Sequence, residues 1–95
     1  MKSYFALVQK TGDSAFGVQF PDIPGCFSAA DEEKDIGPNA VEALQIWAED
    51  IPVAEPSSHE AIMSIPEIRT ALCRGAYLVS VPLVRPLVQV GLVVK

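Results

Sequence analysis

Residues 2–20, KSYFALVQKTGDSAFGVQF, decide the fold. From Lys2 to Lys10 the side chains of Tyr4, Ala6 and Val8 fall on one side of an extended chain and those of Phe5 and Leu7 on the other. Both sides are apolar, which predicts a strand central in its sheet. Thr11-Gly12-Asp13-Ser14 is a cluster of turn residues, and Ala15 to Phe20 then alternates Phe16, Val18 and Phe20 against Gly17 and Gln19. The pair reads as a β-hairpin. Pro21-Asp22-Ile23-Pro24-Gly25 cannot continue the ladder, because two prolines remove backbone donors and Gly25 is free to take a positive φ.

Working outward, a short third strand is expected over Cys26 to Ala30, followed by a helix whose start the acids leave ambiguous. Asp31 and Asp35 are both plausible N-caps. Counted from Asp35, Pro38 takes the third helical position, where a missing N–H costs nothing; counted from Asp31, it would break an internal bond. The reading from Asp35 is therefore preferred. Ala40, Leu44, Trp47, Ala48 and Ile51 recur at helical spacing, Glu42, Gln45 and Glu49 fall on the watery side, and Pro52 ends the run. Ser57 and Ser58 suit the cap of a short helix over Glu60 to Met63, and Pro66 opens another turn, Glu67 to Leu72. Ala76 to Val81 is strand-like, with Pro82 ending it or placing it at a sheet edge. Val88, Val90, Leu92 and Val94 alternate with Gln89, Gly91, Val93 and Lys95 as one further strand. The expected class is α+β of β-β-β-α-β order, an antiparallel hairpin sheet with its helix on one face and no three-layer character.

The 95 residues fit one domain, and their formal charge of −5 is unevenly spread. All twelve acids lie at or before Glu67, opposed there only by Lys2, Lys10 and Lys34, for a net −9. Ile68 to Lys95 carries Arg69, Arg74, Arg85 and Lys95 without an acid, for +4. Such a body repels nucleic-acid phosphates and attracts a basic partner. The start, MKSYFALVQK, lacks the long apolar core of a signal peptide, so a cytoplasmic location is expected. Ala76 to Lys95 is apolar at thirteen of twenty positions, yet Pro82, Arg85 and Pro86 interrupt it, against a membrane span.

Little in the chain points to catalysis. His59 is the one histidine and sits at a helix start, which suits a capping or surface role. Cys26 and Cys73 form no metal-ligand spacing and are expected as free thiols. No phosphate-binding glycine motif is present. Asp31, Glu32, Glu33 and Asp35 read as a solvated helix entry, and Trp47, at helical spacing, as core. No catalytic residue, metal or cofactor is expected.

The order of residues adds a resemblance. Tyr4 to Val8, then Gly17-Val18-Gln19 leading into FPDIPGCFSA (residues 20–29), then Asn39 to Leu44 and Pro56-Ser57-Ser58, resembles the HicB-like antitoxin family. The resemblance covers roughly residues 1–83. It implies a partial, degenerate ribonuclease-H-like β-β-β-α-β fold and a role in binding a small basic HicA-type mRNA endonuclease toxin, blocking its active site. Many family members continue into a ribbon-helix-helix or helix-turn-helix unit that binds the operator; the eleven residues after Val84 are too few for one.

The resulting expectations are a toxin-binding domain at 1–83 and a tail at 84–95 that associates with other copies. Candidate toxin contacts are Asp22, Pro24, Glu42 and Glu49; candidate oligomerisation residues are Val88, Val90, Leu92 and Val94. An uncovered strand there invites edge pairing and a homo-oligomer. Two other functions stay open: a nucleic-acid-binding autoregulator, for which only the +4 tail argues, and a residual nuclease relying on Asp22 or Asp31.

Overall fold

A computed structural model describes residues 2–11, 15–50 and 54–84. In chain order these form β1 (Ser3–Thr11), β2 (Ala15–Gln19), β3 (Phe27–Ala30), a 3₁₀ turn (Glu33–Asp35), α1 (Ile36–Asp50), α2 (His59–Met63), α3 (Pro66–Cys73) and β4 (Tyr77–Pro82). The strands make one sheet in the order β3-β2-β1-β4, every neighbour antiparallel. β1 is an inner strand, as its two apolar sides require, and β4 with its proline lies at an edge.

The register sorts the side chains between two cores. Tyr4 lies opposite Val81, and Val8 lies opposite Val18, so these residues share one face. On that face α1 packs with Ile36, Ala40 and Leu44, joined by Phe20, Ile23, Cys26 and Ala30. Leu7 points the other way and is buried with Ile62 of α2 and with Ile68 and Ala71 of α3, while Phe5 and Leu78 pack around them. The expectation of helix on one face only, without three-layer character, is thus corrected. A strand apolar on both sides leaves a second hydrophobic surface, and burying it is worth about 25 cal/mol per Å². The short helices α2 and α3 supply that cover over β1 and β4.

α1 begins at Ile36, directly after Asp35, and Pro38 is its third residue. The irregular turn expected before it is a 3₁₀ turn: the Asp35 N–H donates to the Glu32 carbonyl at 3.0 Å, so Asp35 sits inside that turn rather than in an extended cap. Ser58 caps α2, its hydroxyl accepting from the Ala61 N–H at 3.1 Å. Gln45, expected in water, is half-buried and donates to the Val84 carbonyl at 2.7 Å, tying α1 to the chain leaving β4. Cys26 is buried and Cys73 exposed, both as free thiols. The turn at Gly12-Asp13-Ser14, Ile51 with Pro52, and the tail strand Val88 to Val94 lie outside the described residues.

Candidate functional site

The FPDIPG stretch folds as two successive tight turns. The Ile23 N–H donates to the Phe20 carbonyl and the Cys26 N–H to the Ile23 carbonyl, both at 3.0 Å. Each turn therefore has a proline, Pro21 or Pro24, at its second position, where a fixed φ near −65° is already correct. Gly25 follows Pro24 with φ +96, the geometry of a type II turn, and a Cβ added there would lie 3.0 Å from the Trp47 ring. Phe20 and Ile23 are buried on either side of Asp22. The motif thus anchors a turn against α1.

Asp22 is half-buried and its carboxylate is fully engaged. One oxygen accepts from the Ser57 N–H at 2.7 Å and the other from the Ser57 hydroxyl at 2.6 Å. Two further contacts hold the same irregular segment: the Tyr4 hydroxyl donates to the Ala54 carbonyl, and Lys2 pairs with Glu55 at 2.7 Å. Asp22 thereby fixes the path from α1 back to α2. Pro24, one residue beyond Ile23, is exposed at the tip of the second turn.

Glu42 and Glu49 project from α1 into solvent, seven residues apart and so on one helix face. Between them on that face is Ile46, 58% exposed, four residues after Glu42 and three before Glu49. Neither acid has an ion-pair partner among the described residues. The arrangement is an apolar knob flanked by uncompensated negative charge. It can dock a surface that offers cations around an apolar hollow, while the same charges repel nucleic acid. The structure thus brings Glu42 and Glu49 together, gives Asp22 an internal role, and puts Pro24 on a turn whose neighbour Gly25 abuts Trp47 of α1. Val88, Val90, Leu92 and Val94 lie outside the described residues.

Ile46 and Phe27 are exposed apolar residues outside the expected contact set. Ile46 was legible, since it falls off the Ala40-Leu44-Trp47 stripe and between two acids. Phe27, 65% exposed on β3, follows from alternation once Cys26 is known to point inward. With Gln9, Gly17 and Gln19 it lines a shallow hollow of about 130 Å³ on the half of the second sheet face that α2 and α3 leave open. His59 is exposed at the start of α2, its ring edge-on to Phe5 at 5.5 Å. Among the described residues no group of three or more histidine, cysteine or acidic side chains could hold a metal ion, and no helix is long and apolar enough to cross a membrane.

The chain is thus an α+β domain with a four-stranded antiparallel sheet, helices on both its faces and an exposed acidic helix face. Its family follows from comparison: residues 4–85 match the model of the HicB-like antitoxin of bacterial toxin-antitoxin systems, and the chain belongs to that family. Among solved structures, a chain of a HicA3 and HicB3 toxin-antitoxin complex is 29% identical, with a TM-score of 0.68 over 88% of this chain and 99% of that one. The Burkholderia pseudomallei antitoxin HicB is 27% identical, TM-score 0.70, over 88% of this chain and 63% of that one. Its N-terminal domain alone is 26% identical, TM-score 0.70, over 87% of this chain and 99% of that one. This chain thus spans about two-thirds of that longer antitoxin. No curated protein matches the sequence.

Proposed function

We propose that this chain is an antitoxin whose domain at 1–83 binds a HicA-type mRNA endonuclease and covers its active site. The observation that carries the reading is the outer face of α1, where exposed Ile46 stands between the carboxylates of Glu42 and Glu49, neither paired among the described residues. Complementary charge would steer the basic toxin, and desolvation of the apolar knob would slow its release. Pro24 would extend this contact from the neighbouring turn, with Asp22 acting indirectly by holding that turn to Ser57. Membership of the antitoxin family and similarity to a chain from a HicA3 and HicB3 complex support the same partner class. Occlusion requires no catalytic group on the antitoxin.

The test is titration calorimetry of the full chain against a catalytically inactive HicA-type toxin encoded beside it. A saturable complex whose affinity falls as salt is raised is the expected result. Absence of heat and of co-elution at tens of micromolar would refute the reading.

A further inference from the structure

The two edges of the sheet are unequal. At the β3 edge the Ala29 carbonyl points away from β2 and is taken by the Asn39 side-chain amide of α1 at 2.9 Å. At the β4 edge no strand lies beyond β4 among the described residues. The Leu83 N–H donates to the Lys2 carbonyl at 2.8 Å, so in an antiparallel ladder Val81, Val79 and Tyr77 also turn their backbone groups inward to β1. Leu78 and Ser80 therefore turn theirs outward. Pro82 shares that outward phase, which is why a proline is tolerated there, and it limits the free ladder on one side.

Beside this edge runs a groove of about 320 Å³ between β4 and the first half of α1, lined by Ile36, Val41, Tyr77 and Val79, with Glu33 at its rim. It lies where α1, which packs chiefly on β3, meets the face of β4 more lightly. Tyr77 remains 36% exposed there, and Val79 is half-buried. An open ladder above an apolar groove is the arrangement that accepts an added strand, with backbone bonds giving affinity and alternate side chains filling the hollow.

We propose that the occupant is residues 88–94 of a second copy of this chain. The stretch Val88-Gln89-Val90-Gly91-Leu92-Val93-Val94 has the required period of two. Seven residues at about 3.3 Å each span the six of β4. Pleating puts one set, Val88, Val90, Leu92 and Val94, on the groove side with Tyr77, Val79 and Val81. Gln89, Gly91 and Val93 then oppose Leu78, Ser80 and Pro82. Arg85 and Lys95 flank the apolar run, and the groove offers Glu33 as a complementary charge.

Return of the segment to its own β4 is disfavoured by the connection. Residues 83–87, LVRPL, contain none of the Gly, Asn or Asp residues that tight hairpins use. Gln45 also holds the Val84 carbonyl toward α1. Reciprocal exchange between two copies satisfies both edges with one two-fold interface.

The experiment uses the full chain with Cys73→Ser, carrying either Ser80→Cys or Gly91→Cys. Mixed and oxidised, the two are expected to form an interchain disulfide, and light scattering of the parent is expected to show dimers. Val90→Asp with Leu92→Asp should halve the measured mass while leaving the circular dichroism unchanged. A monomeric parent, no interchain product in the mixture, or a dimer that survives the double aspartate variant would overturn the proposal. A doubly substituted chain, Ser80→Cys with Gly91→Cys, that closes only on itself would assign the groove to the chain's own tail and equally overturn it.

Discussion

Asp22 and the pair Glu42 and Glu49 are carboxylates with opposite employment. Asp22 sits between two buried residues and spends both oxygens on Ser57, holding a segment that has no secondary structure of its own. Glu42 and Glu49 stand on an exposed helix face beside Ile46 and pair with no group among the described residues. A charge that bonds inward specifies a fold; one left without a partner at no structural benefit is available for recognition. The most conspicuous acid in the sequence motif is thus bonded inside the domain, while the acids of the plainer helix lie exposed.

Removing each kind of acid separates the two roles. Asp22→Ala should cost about 1.5–3 kcal/mol, the usual worth of hydrogen bonds to a charged group, read as a lower urea midpoint with an unchanged slope. Toxin affinity, measured well below that midpoint, should fall by much less. The double variant Glu42→Lys with Glu49→Lys should do the reverse. Its unfolding midpoint should stay where it was, while its association with the toxin slows by about tenfold at low salt and the difference shrinks at high salt. If the lysine pair unfolds the domain, or the loss of Asp22 abolishes binding without destabilising it, the division fails.

The smallest effect concerns the two thiols. Burial pushes the Cys26 thiol above its ordinary pKa, because the thiolate would lose hydration. The unfolded chain then releases this proton first, so Cys26 takes stability away as pH rises past the ordinary thiol value and contributes no pH dependence below it. Cys26→Ala should flatten the alkaline limb of the stability curve. A thiol reagent at neutral pH should label Cys73 rapidly and Cys26 only on unfolding; equal rates would contradict the burial that anchors the motif against α1.

Much of this architecture was legible because the signals were local. Two apolar sides on Tyr4 to Val8 placed β1 inside the sheet, and Pro38 placed the start of α1. The cover on the second face was not legible in the same way. Ile62, Ile68 and Ala71 come from helices of five and eight residues, too short to show a clear apolar stripe, and only the three-dimensional path brings them to Leu7. At the candidate site, Glu42 and Glu49 were readable from helical phase, and Ile46 from the same phase. The fate of Asp22 was not, since its partner Ser57 is 35 residues away and a carboxylate in a turn looks equally free or bound in one dimension. Gln45 was misread for a similar reason: its partner, the Val84 carbonyl, is backbone 39 residues on.

If this domain silences an RNA-cutting enzyme by covering it, as proposed, cleavage itself is the most direct readout. A fluorescent mRNA fragment is cut by an active HicA-type toxin while the full chain is titrated in. Cleavage should fall in proportion to added chain and stop near equivalence, and the Glu42→Lys, Glu49→Lys variant should need a large excess at the same salt. Undiminished cleavage at a saturating excess of folded chain would contradict it.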